Sequence, residues 1–330
     1  MGWPTLSRTF LVVIAILVGI LAFLQSSQSA RASISLNSLR KFSVFSRASS
    51  STDSSNMAPR TPIYFVSHGG PNIQYDTKHP VYPVLQRLGK EITQKVKPTA
   101  VVVFSAHWQG GPKSIELNNA VDTDLIYDFY GFPKSYYEAT YPSKGSPELA
   151  SKITDLLSKS GIKAKGVKRG LDHGVWSGFN VAFNPKTNPL NVPLVQVSLF
   201  DNEDPEAHFR LGEAVAPLRS EGVLIVGAGM SVHNLHALRS MHLDPRPQPW
   251  AVSFDEALRD AVVGPSPERR GRMAELVRRP DARMSHPTMD HLMPIYVTAG
   301  AAGADAAEQV WTMQEGGFGW AQYRFGDVPS

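Results

Sequence analysis

The sequence predicts an α/β sandwich with a mostly parallel or mixed central sheet. Short β-branched apolar runs recur along the chain, and amphipathic stretches of helical length separate them. The strand candidates are Pro62–Val66 (PIYFV), Ala100–Phe104 (AVVVF), Leu194–Leu199 (LVQVSL) and Val223–Val226 (VLIV). Each is apolar at nearly every position, as expected of strands covered on both faces. Between them, Tyr82–Lys95 follows Pro80, Pro147–Ser160 stops before Gly161, and Glu206–Leu218 completes a third helical stretch. Two further helices are expected at Ser253–Val262 and Thr288–Ala302, the latter with Thr288 as N-cap behind Pro287. Pro245–Pro249 reads as a loop, and no internal repeat is visible.

The 330 residues suffice for one large domain or two ordinary ones, and 42% apolar with 19% charged residues suits a globular chain. The net charge of +4 is unevenly placed. Residues 1–60 carry +5, from Arg8, Arg31, Arg40, Lys41, Arg47 and Arg60 against Asp53, which leaves about −1 for the remainder. The charge therefore gives no reason to expect a nucleic-acid partner. There is no cysteine, which removes thiol nucleophiles, iron–sulfur clusters, thiolate zinc sites and disulfides together. Any metal must be held by nitrogen and oxygen, and ten histidines make nitrogen ligation feasible.

Residues 1–60 read as a leader and 61–330 as the working domain. Phe10–Leu24 is an uncharged apolar run behind Arg8, which fits a signal-peptide core or a short membrane anchor and is the expected place of any membrane contact. A Ser-rich, Arg-bearing stretch follows over residues 26–56 and lacks the apolar content for a core. Met57 stands just before the first strand, so a shorter product starting there, with a cytoplasmic catalytic domain, is an equal reading. The absence of N-x-S/T sequons and of cysteine favours it.

The histidines carry the functional information. His68 directly follows the first strand (SHGGP), His107 the second (SAHW), and His233 comes after the Val223–Val226 run (SVHNL). Ligand crevices in open α/β sheets form at that carboxyl edge. His291 lies at the expected start of the last helix (HPTMDHLMP), and His173 in a Gly-bearing loop (LDHGVW). A single such histidine is usually a satisfied polar residue; five beside Gly, Ser, Pro and Trp form a candidate site. His79, His208, His236 and His242 take the bland reading, with His236 a possible supporting residue, while His286 stays ambiguous.

Gly227-Ala228-Gly229 lacks the third glycine of a dinucleotide loop. Arg269-Arg270-Gly271-Arg272 and Arg278-Arg279 look like a solvated helical face. The GxSxG, P-loop and HExxH motifs are absent, which counts against common hydrolases and nucleotidases. Imidazoles suit Zn²⁺ and Fe²⁺. Proton transfer at such a site also needs a base, and His173, set apart from the strand ends, is the candidate. Asp172 beside it could orient that ring or hold the loop. Trp108, Tyr130 and Trp176 could line an aromatic pocket, although core packing explains each equally well. His286 is the remaining candidate for substrate contact.

Taken in order, SHGGP, SAHW, DFYGFP (Asp128–Pro133), LDHGVW, SVHNL and HPTMDHLMP resemble the class III extradiol ring-cleavage dioxygenases, in particular the 4,5-DOPA extradiol dioxygenase subgroup. The resemblance spans about Pro62 to Tyr323 and excludes the leader. It implies a three-layer α/β/α sandwich, one divalent metal (Zn²⁺ or Fe²⁺) held by His68, His107, His233 and His291, and an acid/base role for His173. The reaction implied is insertion of O₂ into the ring of a small catechol. A zinc hydrolase and a non-catalytic metal-binding member of the superfamily are the competing readings. Two departures stand out: no carboxylate is seen among the ligands, and Met289 replaces a common proline.

Overall fold

The computed structural model describes residues 60–238, 244 and 246–330, so Phe10–Leu24, Met57 and His242 lie outside the described residues. Among the described residues there are eleven strands: β1 (Ile63–Ser67), β2 (Ala100–Gln109), β3 (Ser114–Asn118), β4 (Lys163–Val167), β5 (Leu194–Leu199), β6 (Val223–Gly229), β7 (Val232–His233), β8 (Ala307–Trp311), β9 (Gln314–Glu315), β10 (Phe318–Gly319) and β11 (Gln322–Phe325). The longer α-helices are α1 (Val81–Glu91), α2 (Pro147–Lys159), α3 (His173–Ala182), α4 (Pro205–Val215), α5 (Pro249–Val263), α6 (Ser266–Leu276) and α7 (Met293–Ala302). Among the described residues, no helix is long and apolar enough to cross a membrane.

Eight strands form one mixed sheet in the order β4-β3-β5-β2-β6-β1-β11-β8. Its centre, β5-β2-β6-β1, is parallel throughout, with β11 antiparallel to β1 at one side and β3 antiparallel to β5 at the other. Side chains alternate across this sheet, as a period of two requires. Ile63, Val102, Phe104, Val195 and Ile225 enter one buried core, together with residues of α2, α4, α5, α6 and α7. Tyr64, Val101, Val103, Leu194, Leu224 and Val226 enter the other, against α1 and α3. Helices thus cover both faces, in three layers.

The differences from the sequence reading have local causes. The last helix begins at Met293, not Thr288, because Pro294 lacks an N–H and fits only in a first turn. His291 therefore lies in the turn before the helix. α5 starts four residues early, at Pro249, for the same reason. α1 ends at Glu91 and passes into a π-helical turn, Ile92–Val96, closed by Lys97 at φ 48°. His173 opens helix α3 and is not in a loop. Gly174 serves close packing: a Cβ there would lie 2.7 Å from the His107 ring and 2.8 Å from Ser105 Oγ. Arg269 does not face solvent; it is buried and donates to the carbonyls of Val262, Gly303 and Asp305.

Candidate metal centre

The carboxyl ends of β1, β2 and β6 bring the predicted histidines together. Ring centres lie 5.2 Å apart for His68 and His107, 5.4 Å for His68 and His291, and 4.8 Å for His107 and His291. His173 comes within 4.1 Å of His107 and 5.9 Å of His68. His233 stacks on His291 at 3.6 Å with ring planes 10° apart. All five rings form one cluster, which contains the four histidines expected as ligands. Among the described residues, the group whose ligand atoms all lie within 4.8 Å of one another is His68, His107 and His173.

Hydrogen bonds decide which nitrogen each ring presents. His68 Nδ1 meets the Gly69 carbonyl at 2.6 Å, and His291 Nδ1 meets Asp290 Oδ2 at 2.6 Å. Asp128 serves two rings, with Oδ2 3.1 Å from His107 Nδ1 and Oδ1 2.9 Å from His173 Nδ1. Its Oδ1 also accepts the His173 backbone N–H at 3.0 Å. These oxygens only accept, so each Nδ1 carries the hydrogen and each Nε2 keeps its lone pair. His107 Nε2 and His291 Nε2 then face each other at 3.2 Å as two acceptors. His68 Nε2 is buried without a hydrogen-bond partner. Two opposed lone pairs and one orphaned acceptor fit a cation, and the carboxylate or carbonyl behind each ring is the usual support of a metal-binding imidazole.

Burial, reinforced by neighbouring rings, holds His68, His291 and His233 as neutral bases well below their ordinary pKa. Burial lowers His173 as well, with Asp128 opposing. His107 differs: burial pushes it down, yet the Asp128 hydrogen bond and the charges of Asp172, Asp128 and Asp290 raise it overall. Burial works to raise Asp128, but hydrogen bonds to His107 and His173 outweigh it and keep the carboxylate ionised.

Asp172 orients neither histidine. It is buried and accepts from Ser105 Oγ at 2.7 Å, from Arg169 Nη1 at 3.0 Å and from Gln196 Nε2, tying the start of α3 to β2 and β5. Sequence reasoning missed Asp128, which stood in DFYGFP only as part of a motif, and Asp290, the neighbour of His291. The proposed aromatic residues scatter. Trp108 is buried, donates to Glu116 Oε2 at 3.3 Å and lies under the Arg169 guanidinium. Tyr130 is 90% exposed. Trp176 is fully buried, donates to the Ile126 carbonyl and touches Phe129. His286 is also fully buried, bonded to the Ser231 carbonyl and lowered to about pKa 4 by burial. Trp176 and His286 thus present no surface to a ligand. Phe129 instead packs on His173, at 5.6 Å. Surface hollows of about 560 Å³ beside Phe200 and 770 Å³ beside Tyr141 contain none of the five histidines, so chemistry and not hollow size locates the site.

Buried imidazoles gathered at the carboxyl edge of a three-layer α/β sheet, most of them held neutral, offer the donor set of a non-haem metal centre. Residues 57–325 match the family described as the catalytic LigB subunit of aromatic ring-opening dioxygenase, and the chain belongs to that family. It is 37% identical to a 4,5-DOPA dioxygenase extradiol of Beta vulgaris, over 79% of this chain and 95% of the relative. Identity to the protein of the same name in Escherichia coli K12 is 32%, over 73% of this chain and 85% of that one. The crystal structure of an uncharacterized Escherichia coli K12 protein superposes with a TM-score of 0.65 at 27% identity, over 81% of this chain and all of the other. The chain is a dioxygenase of the extradiol type.

Proposed function

We propose that this enzyme opens a DOPA-like catechol with O₂, residues 61–330 forming the catalytic domain and residues 1–60 a leader outside it. In this reading His68, His107, His233 and His291 hold one divalent metal, Fe²⁺ for oxygen chemistry with Zn²⁺ able to occupy the same donors. The observation that supports it is that His68, His107 and His291 are each fixed through Nδ1, with the Nε2 atoms of His107 and His291 facing each other and that of His68 left without a partner. When bound, the metal brings the catechol and O₂ together at one centre. His173 Nε2 takes the proton of the second phenolic hydroxyl, Asp128 stabilises the imidazolium, and the proton returns to the opened product. Both atoms of O₂ enter the product as the ring carbon–carbon bond beside the diol breaks, leaving a semialdehyde. Working in the cytoplasm, with any membrane contact confined to residues 10–24, is part of the same proposal.

A second reading rests on the tightest nitrogen group, His68, His107 and His173, in which His173 is itself a ligand. Fe²⁺ reconstitution under nitrogen, followed by oxygen-electrode traces with a panel of catechols, tests the reaction. Oxygen uptake with a yellow product is expected; catechols left intact, with an ester or amide cleaved instead, would support the zinc hydrolase. Metal content of His173→Ala separates the two ligand sets.

A further inference from the structure

The histidine cluster accounts for a catechol ring and its hydroxyls, but for nothing attached to the ring. Beside it, β7, β10 and β9 form a small sheet in that order. Phe318 is registered against His233 on one side and Glu315 on the other. Residues directly opposite in a ladder share a face, so His233, Phe318 and Glu315 form one row. The rings agree, with Phe318 5.6 Å from His233. The alternate residues face the other way, where Val232 is fully buried and Gln314 donates to the buried Asp255. Two strand spacings place the Glu315 backbone roughly 10 Å from that of His233. A ring with a short arm spans that distance.

Glu315 is also fixed in place. His79 Nδ1 accepts the Val81 backbone N–H at 3.2 Å, so the ring hydrogen is on Nε2, which donates to Glu315 Oε2 at 3.4 Å. His79 packs on Trp320 at 4.4 Å. Trp320 in turn fills the space beside Gly69 (φ 67°), where a Cβ would come within 2.5 Å of the indole. The carboxylate is thereby tied to the loop that carries His68, and its side chain is still 39% exposed. The His79 hydrogen bond lowers its pKa, so it is anionic at neutral pH.

Resting on the catechol-opening reading, we infer that Glu315 is a specificity determinant that receives a protonated amine on the substrate's side chain, with Phe318 packed beneath the arm. The test is calorimetric titration, under nitrogen, of the full chain loaded with Fe²⁺. The probes are dopamine (cationic arm), 4-methylcatechol (uncharged) and 3,4-dihydroxyphenylacetate (anionic arm). The wild type should favour dopamine over 4-methylcatechol, and Glu315→Gln should lower that ratio about tenfold or more, as loss of a charged hydrogen bond implies. Glu315→Lys should shift preference to the anionic arm. Equal binding of all three probes by the wild type overturns the inference without any variant. So does a ratio that moves less than about twofold in both folded variants, well short of one charged contact. Selective binding without oxygen uptake would sink the ring-opening reading and leave the Glu315 subsite standing; oxygen uptake without selectivity would do the reverse.

Discussion

Arg219 and Arg269, at the amino-terminal ends of the central strands, are as deeply buried as His68 and His291 at the carboxyl-terminal ends. Their surroundings are opposite in kind. Arg219 donates to the Thr61 and Ala301 carbonyls at 2.8 and 3.1 Å and pairs with Asp305. Arg269 spends its donors on three carbonyls, including that of Asp305. At the other end each ring satisfies one nitrogen; the second is bare in His68 and faces only His107 Nε2 in His291. Burial alone therefore does not mark function here. Ring nitrogens from several elements converging within 4.8 Å of one another do, whereas a single orphan such as His286 Nδ1 does not.

The comparison can be broken at either end. The largest effect is expected for His173→Ala, which should lower kcat by about 10²- to 10⁴-fold, the usual contribution of an acid/base group, and keep its metal. His107→Ala should lose the metal. Elemental analysis paired with turnover reads both, and a folded, metal-free His173→Ala would move His173 into the ligand set. Asp128→Asn keeps the shape but removes the charge that holds both His107 and His173. A loss of roughly 10- to 100-fold in metal affinity or activity is expected, as for other outer partners of ligating histidines; an unchanged Kd and kcat would show that Asp128 only packs.

At the opposite end, Arg219→Leu should cost about 1–3 kcal/mol of stability, because the buried Thr61 and Ala301 carbonyls lose their donor while Asp305 keeps Arg60. The folded fraction should retain its kcat, a result read by urea denaturation alongside turnover. A comparable effect concerns His208, buried on α4 between the Phe200 N–H and the Asp204 carbonyl and lowered by burial to about pKa 4. The unfolded chain binds this proton first, so the stabilisation is complete above about pH 6.5 and is lost as pH falls toward 4. His208 alone should cost about 2 kcal/mol by pH 5, and His208→Gln should flatten that slope in denaturation curves. The smallest effect is expected from starting the chain at Met57. Every site residue lies beyond it, so activity and unfolding midpoint should match the full chain; loss of folding would mean the leader packs on the domain.

Much of this was legible in the sequence. The four apolar runs became the four central parallel strands, because burial on both faces leaves a compositional mark that needs no partner to read. His68, His107 and His233 were legible as residues at strand ends, since strand direction alone decides which edge they occupy. The rest depended on tertiary contacts. Gly174 made the start of α3 look like a loop, although close packing against His107 and Ser105 of β2 requires a small residue there. Arg269 looked solvated because its acceptors come from residues 262, 303 and 305, which no local pattern links to it. Asp128 was hidden for the same reason, its two imidazoles arriving from β2 and α3. β9 and β10 are too short for any periodicity, and only the Gly316-Gly317 pair between them hinted at a hairpin.

The position of β1 has a consequence for how the chain is made. It is the first strand described, yet Ile63 pairs with Ile225 on one side and with Phe325 on the other. Synthesis at about 5–20 residues per second leaves both edges of this apolar strand open for several seconds at least, and the second edge open until Gln322–Phe325 have been made. A ribosome-bound fragment therefore offers an unpaired template to other chains, which makes protection of the nascent strand a requirement for yield. The same wiring makes Gln322–Phe325 costly to lose, since removing them strips β1 of a neighbour and separates β8 from the sheet.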